Sequence, residues 1–198
     1  MKKWIVVVTG ILVLAAVSAQ AKITAEDVSY ADDNVKLKGY LVYDDAYPDK
    51  RPGVLVVHEW WGLNDYARMR AERLASLGYV AFAVDMYGEN KVTKHPDQAS
   101  KWMKEITQNV ELWRSRAMAG LDVLKAHPKV DRNRLAAIGY CFGGATVQQL
   151  AYSGADVRGV VSFHGSLVLP PEDGTEGIRA SFLICHGAAD PFVTDETL

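Results

Sequence analysis

The 198-residue chain contains only two cysteines, no Lys/Arg cluster beyond its extreme N-terminus and no internal repeat. The two cysteines, Cys141 and Cys185, fall in different predicted elements, so a disulfide between them is not expected. A formal net charge of −2 without a basic patch argues against nucleic acid or an anionic surface as a partner. A small molecule is therefore the expected ligand, and the sequence carries no signal of oligomeric state.

The N-terminus is the one part of the chain with a long apolar run. Lys2 and Lys3 precede an apolar stretch over residues 4–17, and the small-x-small sequence Ala19-Gln20-Ala21 follows it. This pattern predicts a signal peptide that is cleaved after Ala21 and an exported protein, periplasmic or secreted. The alternative is a retained membrane anchor, but the stretch is shorter than the roughly 20 residues that span a bilayer. Stable membrane association of the mature chain is not expected.

Residues 22–198 have the composition of one globular domain, because the chain as a whole is 49% hydrophobic and 23% charged. Alternating segments predict a hairpin at its start, and continuous apolar runs predict buried strands farther on. The predicted strands are 23–30, 35–43, 54–57, 79–84, 135–138, 159–163 and 181–185, with helices over 65–77 and after residue 141 and helical spacing across 96–126. Strands that alternate with helices favour an α/β fold with a mainly parallel sheet covered on both faces.

The most informative segment is Gly139-Tyr140-Cys141-Phe142-Gly143-Gly144, which lies between a predicted strand and a predicted helix. This pattern is typical of a sharp turn that presents a nucleophile at the edge of a sheet, with glycines where a Cβ would clash. The following helix N-terminus favours a thiolate at Cys141, and the Phe142 N–H can stabilise an oxyanion. The alternative is that Cys141 is a small buried hydrophobic residue.

Two carboxylates are candidate catalytic groups beside this thiol. Asp190 follows the last predicted strand at the carboxyl edge of the sheet, where it could orient a catalytic base or simply form a turn with Pro191. Glu59 follows a buried strand and is a plausible proton acceptor. The pair His58-Glu59 is not a zinc motif, because a helical H-E-x-x-H would need histidine at position 62, which is Gly62. Neither metal nor cofactor is expected.

Four segments at the ends of predicted strands occur in a characteristic order. They are His58-Glu59-Trp60-Trp61-Gly62, Asp85-Met86-Tyr87-Gly88, the cysteine turn, and His186-Gly187-Ala188-Ala189-Asp190-Pro191. In this order they resemble the dienelactone hydrolase family of α/β-hydrolases, over nearly the whole mature chain. The resemblance implies an α/β-hydrolase fold and a carboxylic ester hydrolase that cleaves an ester or lactone through an acyl-cysteine intermediate.

The same resemblance assigns roles to individual residues. Cys141 would be the nucleophile and Asp190 the acid of a Cys-His-Asp triad. Glu59 would pair with the resting thiol and help deprotonate it when substrate binds, while Trp60 would lend a second oxyanion N–H beside that of Phe142.

The chain departs from the family at two places. Members that act on dienelactone carry an arginine soon after the Asp-x-Tyr segment, whereas Tyr87 here is followed by Gly88-Glu89-Asn90-Lys91, so the substrate stays open. The family histidine should follow Asp190, yet the eight remaining residues contain none. We therefore expect a truncated sequence that lacks a final strand, the histidine loop and a last helix.

The pocket around the thiol is less specified by sequence. Trp61, Tyr87 and His164 are candidate substrate contacts, and the aromatic residues would suit a cyclic or aromatic acyl group or else serve as ordinary packing. His164, like His58 and His186, follows a predicted strand and could substitute for the missing base. Two other functions remain open, namely a thioesterase or other acyl hydrolase on the same fold, and a non-catalytic binding protein that keeps the fold.

Overall fold

The computed structural model describes residues 22–170, 175–191 and 193, and within them a seven-stranded sheet carries four helices. The predicted signal peptide, residues 1–21, lies outside the described residues. The strands are β1 Ile23–Asp32, β2 Val35–Asp44, β3 Arg51–Val57, β4 Val80–Val84, β5 Val130–Tyr140, β6 Gly159–Phe163 and β7 Ser181–Cys185. The helices are α1 Asp65–Ser76, α2 Pro96–Thr107, α3 Val110–Ala126 and α4 Phe142–Tyr152.

The sheet has the order β1-β2-β4-β3-β5-β6-β7 and is mainly parallel, as predicted. Strands β1 and β2 form the expected antiparallel hairpin at one edge, and β2 pairs antiparallel with β4. All other pairs, from β4 through β3, β5 and β6 to β7, are parallel. The carboxyl ends of these five strands therefore meet at one edge of the sheet, where α/β proteins bind their ligands.

Both faces of the sheet are covered. On one face α1 packs Ala67, Ala71 and Ala75 against the strands, and these small side chains allow a close approach. On the other face α3 and α4 pack over a larger cluster that includes Leu55 and Val57 of β3. Because successive strand residues point to opposite faces, a central strand covered on both sides must be apolar throughout. Among the described residues no helix is both long and apolar enough to cross a membrane.

The largest differences from the sequence prediction lie in the helical region 96–126 and at the start of β5. The helical spacing over 96–126 belongs to two helices, because the chain turns at Gln108 and Asn109. The Asn109 side chain accepts the Leu112 N–H at 3.0 Å and so caps α3. Strand β5 starts at Val130, five residues earlier than expected. Its polar residues 132–134 have no partner on β3, because the register shifts between Pro52 and Gly53, so an irregularity in pairing hides this strand start from periodicity.

The turn between β5 and α4 is built on close backbone contacts. A Cβ added to Gly139 would overlap the carbonyl oxygen of Gly143, and one added to Gly143 would overlap the carbonyl oxygen of Val57 on β3. Gly144 faces β6, where an added Cβ would lie 2.5 Å from the Ser162 hydroxyl. The first turn of α4 is therefore seated directly on the ends of three strands, and glycine is needed there for space.

This packing predicts a large difference between two glycine substitutions. Gly139→Ala should lower the free energy of unfolding by about 3 kcal/mol or more, because backbone atoms cannot give way as a flexible side chain can. Gly177→Ala is the matched control, since its Cβ would meet nothing within 4 Å, and its effect should stay within about 0.5 kcal/mol. Chemical denaturation of both variants measures the difference, and equal stabilities would contradict this account of the turn.

Candidate active site

Cys141 occupies the turn between β5 and α4 with φ 54° and ψ −117°, a backbone conformation that non-glycine residues rarely adopt. Its N–H donates to the carbonyl oxygen of Phe163 on β6 at 3.0 Å, which fixes the turn against the neighbouring strand. The thiol is thus presented at the carboxyl edge of the sheet by the backbone.

Two backbone N–H groups converge on the Cys141 sulfur. They belong to Phe142, the first residue of α4, and to Trp60, which follows β3, and both N–H groups lie close enough to the sulfur to lower the pKa of Cys141. The structure therefore brings together the two N–H groups that the sequence nominated as oxyanion donors. Two donors at one point form the arrangement that stabilises a developing oxyanion in acyl transfer.

The thiol itself is held protonated. Burial raises the pKa of Cys141, and the carboxylates of Glu59 and Asp190 raise it further, against the opposing effect of the two N–H groups. The Phe142 N–H at the helix N-terminus lowers the pKa of Cys141, the direction expected from the sequence, but burial is the larger effect. Desolvation outweighs the helix dipole, because a buried charge loses its hydration while the N–H groups replace only part of it.

Glu59 and His164 face each other beside the thiol. Oε1 of Glu59 lies 3.5 Å from Nε2 of His164, and about a quarter of the Glu59 side chain is exposed. His164 has φ 45°, and its N–H donates to the carbonyl oxygen of Cys185 at 2.8 Å, so a strained backbone at the end of β6 sets its position. The carboxylate therefore has an imidazole on one side and the thiol within electrostatic range on the other.

Asp190 lies in a turn just after β7, where its N–H donates to the carbonyl oxygen of Gly187 at 3.0 Å. Its Oδ2 is 3.4 Å from Nε2 of His186, whose side chain is only 4% exposed. Asp190 influences the Cys141 thiol electrostatically, so the described part of the chain places both nominated carboxylates near the sulfur. His186 lies inside the fold.

A cavity of about 400 Å³ opens above the thiol. The lining residues span three strand ends and are Cys141, His164, Ser166, Asp190, Pro191 and Val193. Its volume suits a small ligand. Within the described residues no group of three His, Cys, Asp or Glu side chains could hold a metal ion.

Two of the nominated pocket residues lie elsewhere. Trp61 lines a separate hollow of about 270 Å³ together with Asn64, Val92, Thr93 and Lys94. Tyr87 is buried behind the site, stacked on Phe142 with the ring centroids 5.7 Å apart. Only His164 of the three candidates lines the described cavity beside the thiol, because packing among the aromatic side chains takes Tyr87 into the core.

His58 and Tyr87 hold the two peptide groups on either side of the Trp60 Cα, the first of which carries the Trp60 N–H. His58 is fully buried, which lowers its pKa and keeps it neutral. Its Nε2 accepts the Met86 N–H at 3.3 Å, so Nδ1 carries the proton and donates it to the Glu59 carbonyl oxygen. Since C=O and N–H of a trans peptide point in opposite directions, this bond aims the Trp60 N–H at the sulfur.

The Tyr87 hydroxyl holds the next peptide by donating to the Trp60 carbonyl oxygen at 3.0 Å. Sequence reasoning missed both positioning roles. The only available signal was that His58 directly precedes Glu59 at a strand end, and its burial could not be read from that.

Residues 37–198 match the family model described as the dienelactone hydrolase family. The chain belongs to the dienelactone hydrolase family. The resemblance inferred from the four segments is therefore confirmed.

Individual relatives agree with this family membership. A Synechocystis protein named as a candidate carboxymethylenebutenolidase is 31% identical over 177 residues, covering 82% of this chain and 71% of the relative. The crystal structure of a dienelactone hydrolase-like promiscuous phosphotriesterase from metagenomic libraries has a TM-score of 0.86 and 43% identity, covering 90% of this chain and 74% of that one. The crystal structure of a Klebsiella pneumoniae protein named as a candidate dienelactone hydrolase has a TM-score of 0.72 and 25% identity, covering 89% of this chain and 77% of that one.

The predicted α/β-hydrolase fold is confirmed by these structures together with the mainly parallel sheet. The family and the names of its members indicate a hydrolase with a small-molecule substrate.

The electrostatics of the thiol predict the effect of neutralising Glu59. Because the carboxylate raises the pKa of Cys141, Glu59→Gln should lower that pKa and speed alkylation by iodoacetamide at pH 7. The measurement is the alkylation rate against pH in a Cys185→Ser background, with the exposed Glu176→Gln as control. A profile for Glu59→Gln that coincides with the control would show that Glu59 does not act on the thiol.

Proposed function

We propose that the protein hydrolyses a carboxylic ester or lactone through an acyl-Cys141 intermediate. The single observation that carries the proposal is the convergence of the Phe142 and Trp60 N–H groups on the Cys141 sulfur. A carbonyl carbon attacked by that sulfur would have its oxygen within reach of both donors. The half-buried Cys141 thiol supplies the nucleophile, and Glu59 beside it supplies a proton acceptor.

Acylation needs only groups that the site contains. The sulfur of Cys141 forms a bond to the carbonyl carbon, the thiol proton passes to Glu59, and the oxyanion accepts hydrogen bonds from Phe142 and Trp60. Collapse of the tetrahedral intermediate breaks the C–O bond, and the leaving alkoxide takes the proton from Glu59 to depart as an alcohol. A thioester on Cys141 remains.

Deacylation adds water to this thioester and returns the thiol and a carboxylic acid. The water needs a general base, which the family places on a histidine after the triad acid, oriented by Asp190. Residues 191–198 contain no histidine. Among the described residues His164 is the imidazole that lines the cavity and contacts Glu59.

The cavity favours an uncharged acyl group. Its described lining contains one acid, Asp190, and neither lysine nor arginine, while Glu59 lies next to His164 of that lining. A carboxylate substituent would find no cation there among the described residues. The phosphotriesterase named among the relatives makes a phosphotriester the second candidate, since the same sulfur and donors could serve attack at phosphorus. Thioesters are a further candidate class of substrate.

Acyl transfer from p-nitrophenyl acetate tests the proposal directly. The protein should release one equivalent of p-nitrophenol rapidly and gain one acetyl group on a peptide that contains Cys141, detected by mass spectrometry. Cys141→Ala should abolish both signals, whereas Cys185→Ala should keep them. Acetylation at another residue, or an unreactive thiol, would favour a non-catalytic binding protein.

Tyr87→Phe tests the support of the Trp60 peptide. Loss of one neutral hydrogen bond, about 0.5–1.5 kcal/mol, should slow acylation roughly 2- to 13-fold, with KM nearly unchanged because the ring stays in place. Tyr40→Phe is the control, because its hydroxyl bonds Glu72 on α1 at 2.8 Å, away from the thiol. Equal effects in the two variants would mean that Tyr87 acts only on stability.

A further inference from the structure

The first described residue is already fixed to the sheet. The Lys22 N–H donates to Oδ1 of Asp44 at 2.9 Å, and the Lys22 carbonyl oxygen accepts the Asp45 N–H at 2.9 Å. The next residue, Ile23, begins β1 and pairs with Asp44 in the ladder. The main-chain nitrogen of Lys22 is therefore placed at the very start of the folded sheet, against one carboxylate.

That carboxylate is unusual because it is buried. Asp44 is 2% exposed, and its Oδ1 accepts only backbone N–H groups, those of Lys22 and Ala46, both at 2.9 Å. The neighbouring Arg51 donates to the main-chain carbonyl of Asp44 at 2.8 Å. Within the described part of the chain no lysine, arginine or histidine nitrogen forms an ion pair with the Asp44 carboxylate. Buried carboxylates are usually paired with a cation.

The sequence before Lys22 supplies that cation if it is removed. Residues 1–21 have the charged start, the apolar stretch and the small-x-small end of a signal peptide, and the expected cleavage is after Ala21. Hydrolysis of the bond between Ala21 and Lys22 turns the Lys22 amide nitrogen into a terminal amine. At neutral pH this amine takes up a proton and becomes an ammonium.

We propose that the Ala21–Lys22 bond is a processing site, and that the Lys22 α-ammonium released there forms an ion pair with the buried carboxylate of Asp44. The peptidase is of the class that reads small residues at the two alanine positions, and water is its co-reactant. Water adds across the amide, so that Ala21 leaves with the new carboxylate and Lys22 keeps the nitrogen. Export to the periplasm or outside the cell accompanies the cleavage.

The structure makes the position of the cut specific. A cut one or more residues earlier would leave Lys22 N as a neutral amide, so the new charge would not be on the nitrogen that contacts Asp44. A cut one residue later would remove the nitrogen that contacts Asp44. Only cleavage after Ala21 puts a full positive charge 2.9 Å from Oδ1, where a charge-assisted hydrogen bond replaces a neutral one and is the stronger of the two.

The first measurement is the N-terminal residue of the unaltered full-length chain, produced with its own leader through a bacterial secretory route. N-terminal sequencing and intact mass should both give Lys22 as the first residue. A protein that retains residues 1–21, or one that begins at another residue, overturns the proposal.

The second measurement tests the ion pair by a double-mutant cycle. Insertion of one serine before Lys22 converts its nitrogen back to an amide, and should lower the Tm of the mature protein by about 2–4 °C. In an Asp44→Asn background the same insertion should have little effect, whereas in the control Asp33→Asn, a residue of the β1–β2 turn, the full loss should remain. An equal loss in the Asp44 and Asp44→Asn backgrounds overturns the proposed pair.

Discussion

The backbone contacts between the first turn of α4 and the ends of β3 and β5 are the constraint on which the site depends. Gly139 and Gly143 touch main-chain atoms that cannot move without disturbing the sheet. Cys141 is therefore forced to positive φ, and the strain is maintained by the packing around it. The backbone of the turn thus sets the place of the Cys141 Cβ and brings the thiol to the carboxyl edge of the sheet.

The same packing creates a balance of charges at the thiol. Burial and two carboxylates oppose ionisation, while the Phe142 and Trp60 N–H groups favour it. In the proposed reaction these N–H groups pass from the sulfur to the substrate oxygen, so the thiol must lose its proton as its own donors leave. A carboxylate near the thiol is then needed to accept the thiol proton. The negative charge develops on the substrate oxygen, which the two N–H groups stabilise.

The elements and residues that the sequence predicts correctly have local signals. Glycines bracket Cys141, turn residues join β1 to β2, and the buried strands are apolar runs that need no knowledge of their neighbours. The early start of β5 depends on an irregularity in its pairing with β3. The turn that separates α2 from α3 depends on the N-cap formed by Asn109. The raised pKa of Cys141 and the burial of Tyr87 arise from distant parts of the chain meeting, which periodicity cannot reveal.

The side chain and the main chain of Glu59 make separate contacts at the site. Its side chain faces the thiol and His164, while its carbonyl oxygen is held by the buried His58 ring. Because the peptide is fixed by His58 on one side and by Tyr87 through the Trp60 carbonyl on the other, the oxyanion donor does not depend on the carboxylate. In the proposed reaction a change in the Glu59 side chain would alter proton transfer and the pKa of the thiol, and would leave in place the His58 and Tyr87 contacts that hold the Trp60 peptide groups.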